Sequence, residues 1–272
     1  MPGVTGTAGG EGSGDRSGAL PTAVVIGTMK CGTTALHRML DSHPEIAMAA
    51  MKEVNFFIGA DAPPDTDPDT WWRTGQWHRG VEWYQSLFDA RFPVRGESSP
   101  GYTSPDHGEV VPRMADVLPH ARIVFLVRDP VRRALSQYHH HRRDGTERRT
   151  PEEAVLDPDA QYLSRGRYHE RLEPFLQRFH PEQILVVVQE RLWSAPAREL
   201  RPVYAHVGAD PAHANSWPRS ARDTAQTRQQ MARPTGADAA EDRLRDAARE
   251  YLGDDLARLR DLMRDDIPEW SV

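Results

Sequence analysis

AVVIGTMKCGTTALHRML, residues 23–40, is an apolar, β-branched run that breaks at Gly27, turns through a loop holding Lys30, Gly32, Thr33 and Thr34, and enters an amphipathic helix pattern. Strand, turn and helix N-terminus in that order present backbone N–H groups and the positive end of a helix dipole to an anion. The lysine sharpens this reading. Of the 34 Lys and Arg residues in the chain, only Lys30 and Lys52 are lysine. With arginine at every other cationic position, a retained lysine marks a place where a compact ammonium is needed. The order T-x-K-x-G-T-T over 28–34 departs from a Walker A loop, in which Lys directly follows the second glycine and precedes Ser or Thr. A P-loop kinase or nucleotide triphosphatase therefore stands as the alternative reading.

Outward from this stretch, short apolar runs alternate with amphipathic ones. Strands are expected at 23–27, 93–97, 122–127 and 184–188, with 54–57 a short strand or a loop. Helices are expected at about 34–42, 80–89, 108–118, 130–145, 161–179, 195–207 and 239–264. This alternation predicts an α/β fold in a single domain, 21–272, with a mainly parallel central sheet flanked by helices and ligands at the carboxyl ends of the strands. Residues 59–80 form a Pro- and Asp-rich excursion carrying Trp71, Trp72 and Trp77, too long for an ordinary connection and so expected to be a lid or acceptor-binding loop. Periodicity is lost again at 212–236, expected to be a loop near the donor site.

At 272 residues and 38% hydrophobic content the chain can bury a full core, and its net charge of −6 argues against a general binder of nucleic acid or membrane surfaces. The single Cys31 excludes an internal disulfide framework and a cysteine cluster for zinc. Residues 1–20 are Gly-rich, carry Asp and Glu, and lack the basic and apolar regions of a signal peptide; a disordered tail is expected. No apolar run approaches the roughly 20 residues of a membrane span. A cytoplasmic protein without a membrane anchor is the expectation.

A second motif answers the first. LVRDPVRRALSQY, 126–138, puts Arg128 at the carboxyl end of a strand, Asp129 at a helix N-cap and Pro130 at the first helical position. Ser136 follows on the helix, sharing a face with Arg132 and His140 four residues away on either side.

Together these motifs resemble those of sulfotransferases that use 3′-phosphoadenosine 5′-phosphosulfate (PAPS). KEVNFF (52–57), WHRGVEWYQSLF (77–88), GESSPGY (96–102) and the stretch 118–136 are similar to the branch of heparan sulfate N- and 3-O-sulfotransferases, as is 162–187. The resemblance implies PAPS as co-substrate and adenosine 3′,5′-bisphosphate as product. Lys30 would reach the oxygen bridging phosphate and sulfate, and the loop residues Cys31, Gly32, Thr33 and Thr34 would hold the 5′-phosphate. Arg128 and Ser136 would take the 3′-phosphate, with Arg132 beside them. Glu53 would be the general base, drawing the proton from an attacking hydroxyl or amine. His140 would touch donor or acceptor, and Lys52, Asn55, Trp77, Ser98 and Tyr102 would lie on the acceptor side.

Three positions depart from the branch. Ser98 stands where it often carries lysine, Asn55 where the 3-O-sulfotransferases carry histidine, and TRQQMARP, 227–234, keeps neither the lysine nor the cysteine of the loop that closes over the donor. Arg228 or Arg233 would supply that cation. The acceptor is expected to be a small molecule, such as a secondary metabolite, or a carbohydrate. The competing readings are a helix-capping turn at Lys30, a surface ion pair at Glu53 and an inactive PAPS-binding module. His139, His140 and His141, about 100° apart on a helix, cannot converge on one metal ion, and no metal is expected.

Overall fold

The computed structural model describes residues 18–213 and 239–272. Among them, five apolar runs pair as parallel strands: β1 (Ala23–Gly27), β2 (Ile46–Met48), β3 (Val94–Ser98), β4 (Arg122–Val127) and β5 (Ile184–Val188), in the order β2-β3-β1-β4-β5. Val24 lies opposite both Glu97 and Ile123, and Val124 opposite Leu185. All four pairings are parallel. The period of two along each strand sorts its side chains into two cores. Val24, Ile26, Ile123 and Phe125 face one layer with Phe56, Tyr84, Tyr168 and Leu252; Val25, Val124 and Leu126 face the other with Leu36, Leu40, Val203 and Tyr204. A fully buried side chain such as Phe125 contributes about 1.5–3 kcal/mol. That two-sided burial is why the central strands read as unbroken apolar runs.

Ten helices cover the sheet among the described residues: α1 (Thr33–Asp41), α2 (Gly80–Gln85), α3 (Val110–Val117), α4 (Pro130–Arg143), α5 (Pro151–Val155), α6 (Gln161–Ser164), α7 (Tyr168–Leu176), α8 (Gln189–Ser194), α9 (Pro196–Val207) and α10 (Ala239–Met263). On α10, Leu244, Ala248, Leu252, Leu256 and Leu259 are buried at helical spacing. The expected helix 161–179 is divided around Gly166, where an added Cβ would meet the Leu163 carbonyl and Pro130. The strand expected at 93–97 runs one residue later, and 54–57 forms a loop. β2, a three-residue edge strand, was too short to show a period. Of the expected tail, Gly18 bridges to Asp89 and Leu20 packs on the core; residues 1–17 lie outside the described residues.

From β1 the chain runs through α1 to one edge of the sheet, while β4 and β5 lie on the other side of β1. The connections therefore part between β1 and β4, which is where open α/β sheets bind ligands. The loop after β1 carries Lys30, and the residue after β4 is Arg128. The excursion 59–80 is pinched at its base by Gln76 N–H on the Asn55 carbonyl (3.2 Å) and Trp77 N–H on the Ile58 carbonyl (3.1 Å). Glycine is required at Gly75, φ 91°, because a Cβ there would fall 2.1 Å from the Ile58 oxygen.

Candidate active site

The loop after β1 folds on itself. Thr28 N–H bonds the Leu126 carbonyl of β4 at 2.7 Å, Cys31 N–H returns to the Thr28 carbonyl at 3.1 Å, and Gly32 enters α1 with φ 92°. Among the described residues no side chain caps α1. Its first turn therefore presents uncapped amide dipoles beside the exposed Thr34. Gly32 is confined from outside: a Cβ there would fall 2.8 Å from Gln189 Nε2 and 2.9 Å from the Trp193 ring.

Lys30 is half-buried with φ 70°, a conformation few non-glycine residues adopt. Burial pushes its ammonium below the ordinary lysine range, Arg143 and Arg128 push the same way, and Asp144 and Glu53 oppose them. The charges that Lys30 feels are therefore those of Arg143, Asp144, Arg128 and Glu53. Arg128 is 5% exposed, and its Nη1 donates to the Lys30 carbonyl at 3.2 Å, so one guanidinium props the loop after β1. Burial lowers its pKa as well. Glu190 and Asp129 oppose that shift.

Asp129 caps α4, its carboxylate accepting from Arg132 N–H at 2.9 Å. Arg132, Ser136 and His140 follow at intervals of four on that helix and are all half-buried. The Arg132 Nε is buried with no partner among the described residues. His140 pairs with Asp144 at 3.3 Å, and burial followed by Lys30 holds its pKa below the usual histidine value. The histidine run diverges, His141 Nδ1 lying 2.9 Å from Tyr162 Oη while His139 is exposed.

Glu53, at φ 60°, arrives from the loop after β2. Its N–H bonds the Ser98 carbonyl at 3.0 Å, its carboxylate is 43% exposed, and Lys52 Nζ lies 2.8 Å from it. A cleft of about 630 Å³ opens beside it, lined by Met51, Lys52, Glu53, Pro68, Asp69, Gln76 and Arg79. The excursion 59–80 therefore supplies one wall of this cleft through a short 3₁₀ turn, Pro68–Arg73, and through Gln76 and Arg79.

Four of the expected contact residues turn into the body instead. The Cys31 thiol, fully buried, lies 3.9 Å from Tyr168 Oη and is pushed up to about 12 by burial. Ser98 Oγ pairs with His37 Nδ1 at 3.1 Å. Trp77 packs on Phe56 and under the Arg113 guanidinium, and donates from Nε1 to Asp61 at 2.8 Å. Tyr102 donates to Glu97 at 2.8 Å. These are contacts of packing, and the sequence pattern alone did not distinguish them from contacts to a ligand.

Glu97 itself is the residue that sequence reading missed. Wholly buried, it accepts from Tyr84 Oη (2.5 Å), Tyr102 Oη (2.8 Å) and Ser99 Oγ (2.6 Å). Two of those oxygens accept in turn from the loop that carries Glu53: Ser99 Oγ from Asn55 N–H (3.0 Å) and Tyr102 Oη from Phe56 N–H (2.9 Å). The signal available was a carboxylate inside an otherwise buried strand. Glu97→Ala strands two phenols and a hydroxyl in the core and should cost roughly 3–5 kcal/mol of stability. Urea unfolding of the two proteins, compared at equal m-values, measures it.

Residues 21–214 match the sequence profile of the Sulfotransferase family. The chain belongs to the sulfotransferase family. It is 31% identical over 206 residues to heparan sulfate glucosamine 3-O-sulfotransferase 3B1 of Mus musculus, covering 72% of this chain and 48% of that protein. Over 215 residues it is 31% identical to the bifunctional heparan sulfate N-deacetylase/N-sulfotransferase 4 of Mus musculus, covering 71% of this chain and 23% of the other. This sulfotransferase therefore spans half or less of these curated relatives. A solved sulfotransferase from Alicyclobacillus acidocaldarius superposes with a TM-score of 0.72 at 26% identity, covering 92% of this chain and 98% of that one. Among the described residues of this family member, no helix is long and apolar enough to cross a membrane. Arg228 and Arg233, expected to close over the donor, lie outside the described residues.

Proposed function

We propose that this sulfotransferase moves the sulfuryl group of PAPS to a hydroxyl or amine of a small-molecule or carbohydrate acceptor held in the cleft beside Glu53. One observation carries the reading: Lys30, on the loop after β1, feels the charge of Glu53, on the loop after β2, and its backbone carbonyl accepts from the buried Arg128. The first turn of α1, with Thr33 and Thr34, suits the 5′-phosphate. Arg128, with Ser136 and Arg132 on α4, suits the 3′-phosphate.

In this reading the acceptor O–H or N–H gives its proton to Glu53 as the heteroatom forms a bond to sulfur. The bond from sulfur to the oxygen of the 5′-phosphate breaks in line, and its electron pair stays on adenosine 3′,5′-bisphosphate. Lys30 stabilises the charge arriving on that oxygen, an electrostatic role of the kind that dominates loose transfers between oxygen atoms. His140 feels the charge of Lys30, and Lys52 pairs with the Glu53 carboxylate. A cleft of about 630 Å³ has the size of a small-ligand site.

Calorimetric titration tests the donor half. Adenosine 3′,5′-bisphosphate should bind the wild type at least tenfold more tightly than AMP, and Arg128→Ala should erase the difference, a loss of about 1.5–3 kcal/mol for a charge-assisted contact. Equal affinity for the two nucleotides, or tighter magnesium-dependent binding of ATP, would return the kinase-like reading to the front.

A further inference from the structure

The segment after α10 lies beyond the stretch shared with the family profile, yet it ends on the donor arginine's own support. Past Met263 the chain doubles back through Arg264 and Ile267, both at positive φ, and is clamped by Arg191, which pairs with Asp265 and Glu269. Ser271 then reaches Asp129, the residue next to Arg128. Its N–H and its Oγ–H both donate to Asp129 Oδ2, at 2.9 and 2.8 Å, while Asp129 Oδ1 caps α4. Trp270 Nε1 donates to Glu190 Oε2 at 3.2 Å, and Glu190 Oε1 accepts the Asp129 N–H at 3.0 Å. The Trp270 ring also packs on Tyr168, 5.6 Å between centroids, whose hydroxyl donates to the Arg128 carbonyl at 2.6 Å.

Every polar group of the backbone joining Arg128 to Asp129 is thus held by a residue that Trp270 or Ser271 touches. Arg245 Nε and Arg249 Nη2 of α10 fix Ser271 in turn, at 3.1 and 2.7 Å. We infer that Trp270 and Ser271 are positioning residues for Arg128, so that the segment 264–272 sets the affinity for the donor's 3′-phosphate without touching the donor. The inference rests on the donor assignment proposed above. Its physical basis is that Asp129 is wholly buried, so loss of the Ser271 donors strands a carboxylate oxygen there, and loss of Trp270 loosens Tyr168 and Glu190, which hold the peptide between Arg128 and Asp129.

The test compares two nucleotides that differ only at the 3′-phosphate. Adenosine 3′,5′-bisphosphate and AMP are titrated into the full chain as wild type, Ser271→Ala, Ser271→Thr and the double variant Trp270→Phe/Ser271→Ala, each checked for a cooperative thermal transition. Trp270→Phe keeps an aromatic ring beside Tyr168 while removing the N–H and part of the indole's packing surface. The double variant should bind the bisphosphate roughly tenfold more weakly while AMP changes less than about twofold, and Ser271→Thr should restore the wild-type ratio. Equal weakening of both nucleotides, or no change in either, would overturn the inference. A wild type that shows no preference for the 3′-phosphate would instead defeat the donor assignment, and the inference with it.

Discussion

Glu53→Gln should lower kcat by roughly 10²- to 10⁴-fold while leaving the affinity for adenosine 3′,5′-bisphosphate within about twofold of wild type. The amide has the shape of the carboxylate and cannot take the acceptor's proton. Glu53 is 43% exposed, its side-chain partner among the described residues is Lys52, and a surface pair of this kind adds about 0–1 kcal/mol to stability. Loss of turnover in a protein with an unchanged thermal midpoint would therefore report chemistry and not folding. Single-turnover assays with saturating PAPS and several acceptors make the measurement. Normal turnover would mean that Glu53 is no more than the partner of Lys52 and that the base lies elsewhere.

The left-handed conformations at this site link Glu53 to its neighbours. Among the described residues, five that are not glycine have positive φ: Lys30, Glu53, Asn55, Arg264 and Ile267. Lys30 and Glu53 are the proposed catalytic pair, Asn55 lies on the Glu53 loop, and the other two shape the segment that supports Arg128. Strain of this kind persists only where the surroundings over-determine it, here through Glu97, Ser98 and Ser99 under the 53–56 loop. Little of it was legible in the sequence, because only Asn55 among the first three is of a residue type that favours a left-handed backbone.

What the sequence did reveal follows from which interactions are local. β1, β4 and β5 were readable to the residue, since strands buried on both faces are continuous apolar runs, and Asp129-Pro130 announced the start of α4 by its own chemistry. Lys30 and Arg128 were legible for the same reason, as charged residues just past strand ends, their roles being those proposed above. The inward turns of Cys31, Ser98 and Trp77 depend on partners 16 to 137 positions away and left no local trace, and Tyr102 Oη joins Glu97, five positions away, to the Phe56 N–H, 46 positions away. α8 follows β5 without a loop and has only six residues, too few to establish a helical period. The role of Trp270 and Ser271 was equally hidden, for Ser271 meets Asp129 across 142 residues.

Lys30→Ala should reduce kcat/KM by roughly 10²- to 10³-fold at neutral pH, and Lys52→Ala by far less. The two lysines are the chain's only ones, so the comparison isolates position from chemistry. Lys30 lies among Arg128, Arg143 and the loop amides, where the leaving phosphate would gather charge; Lys52 pairs with Glu53 on the acceptor side. The pH profile supplies a second test. Burial and the neighbouring arginines lower the Lys30 pKa from 10.5, so the ammonium is complete at low pH and is lost as pH rises through that lowered value. Activity requiring the ammonium should accordingly fall along a basic limb that begins below the range of an ordinary lysine. Lys30→Arg, whose guanidinium keeps its proton, should retain part of the activity and lose that limb. Equal losses in Lys30→Ala and Lys52→Ala, or a basic limb unchanged in Lys30→Arg, would place the developing charge away from Lys30.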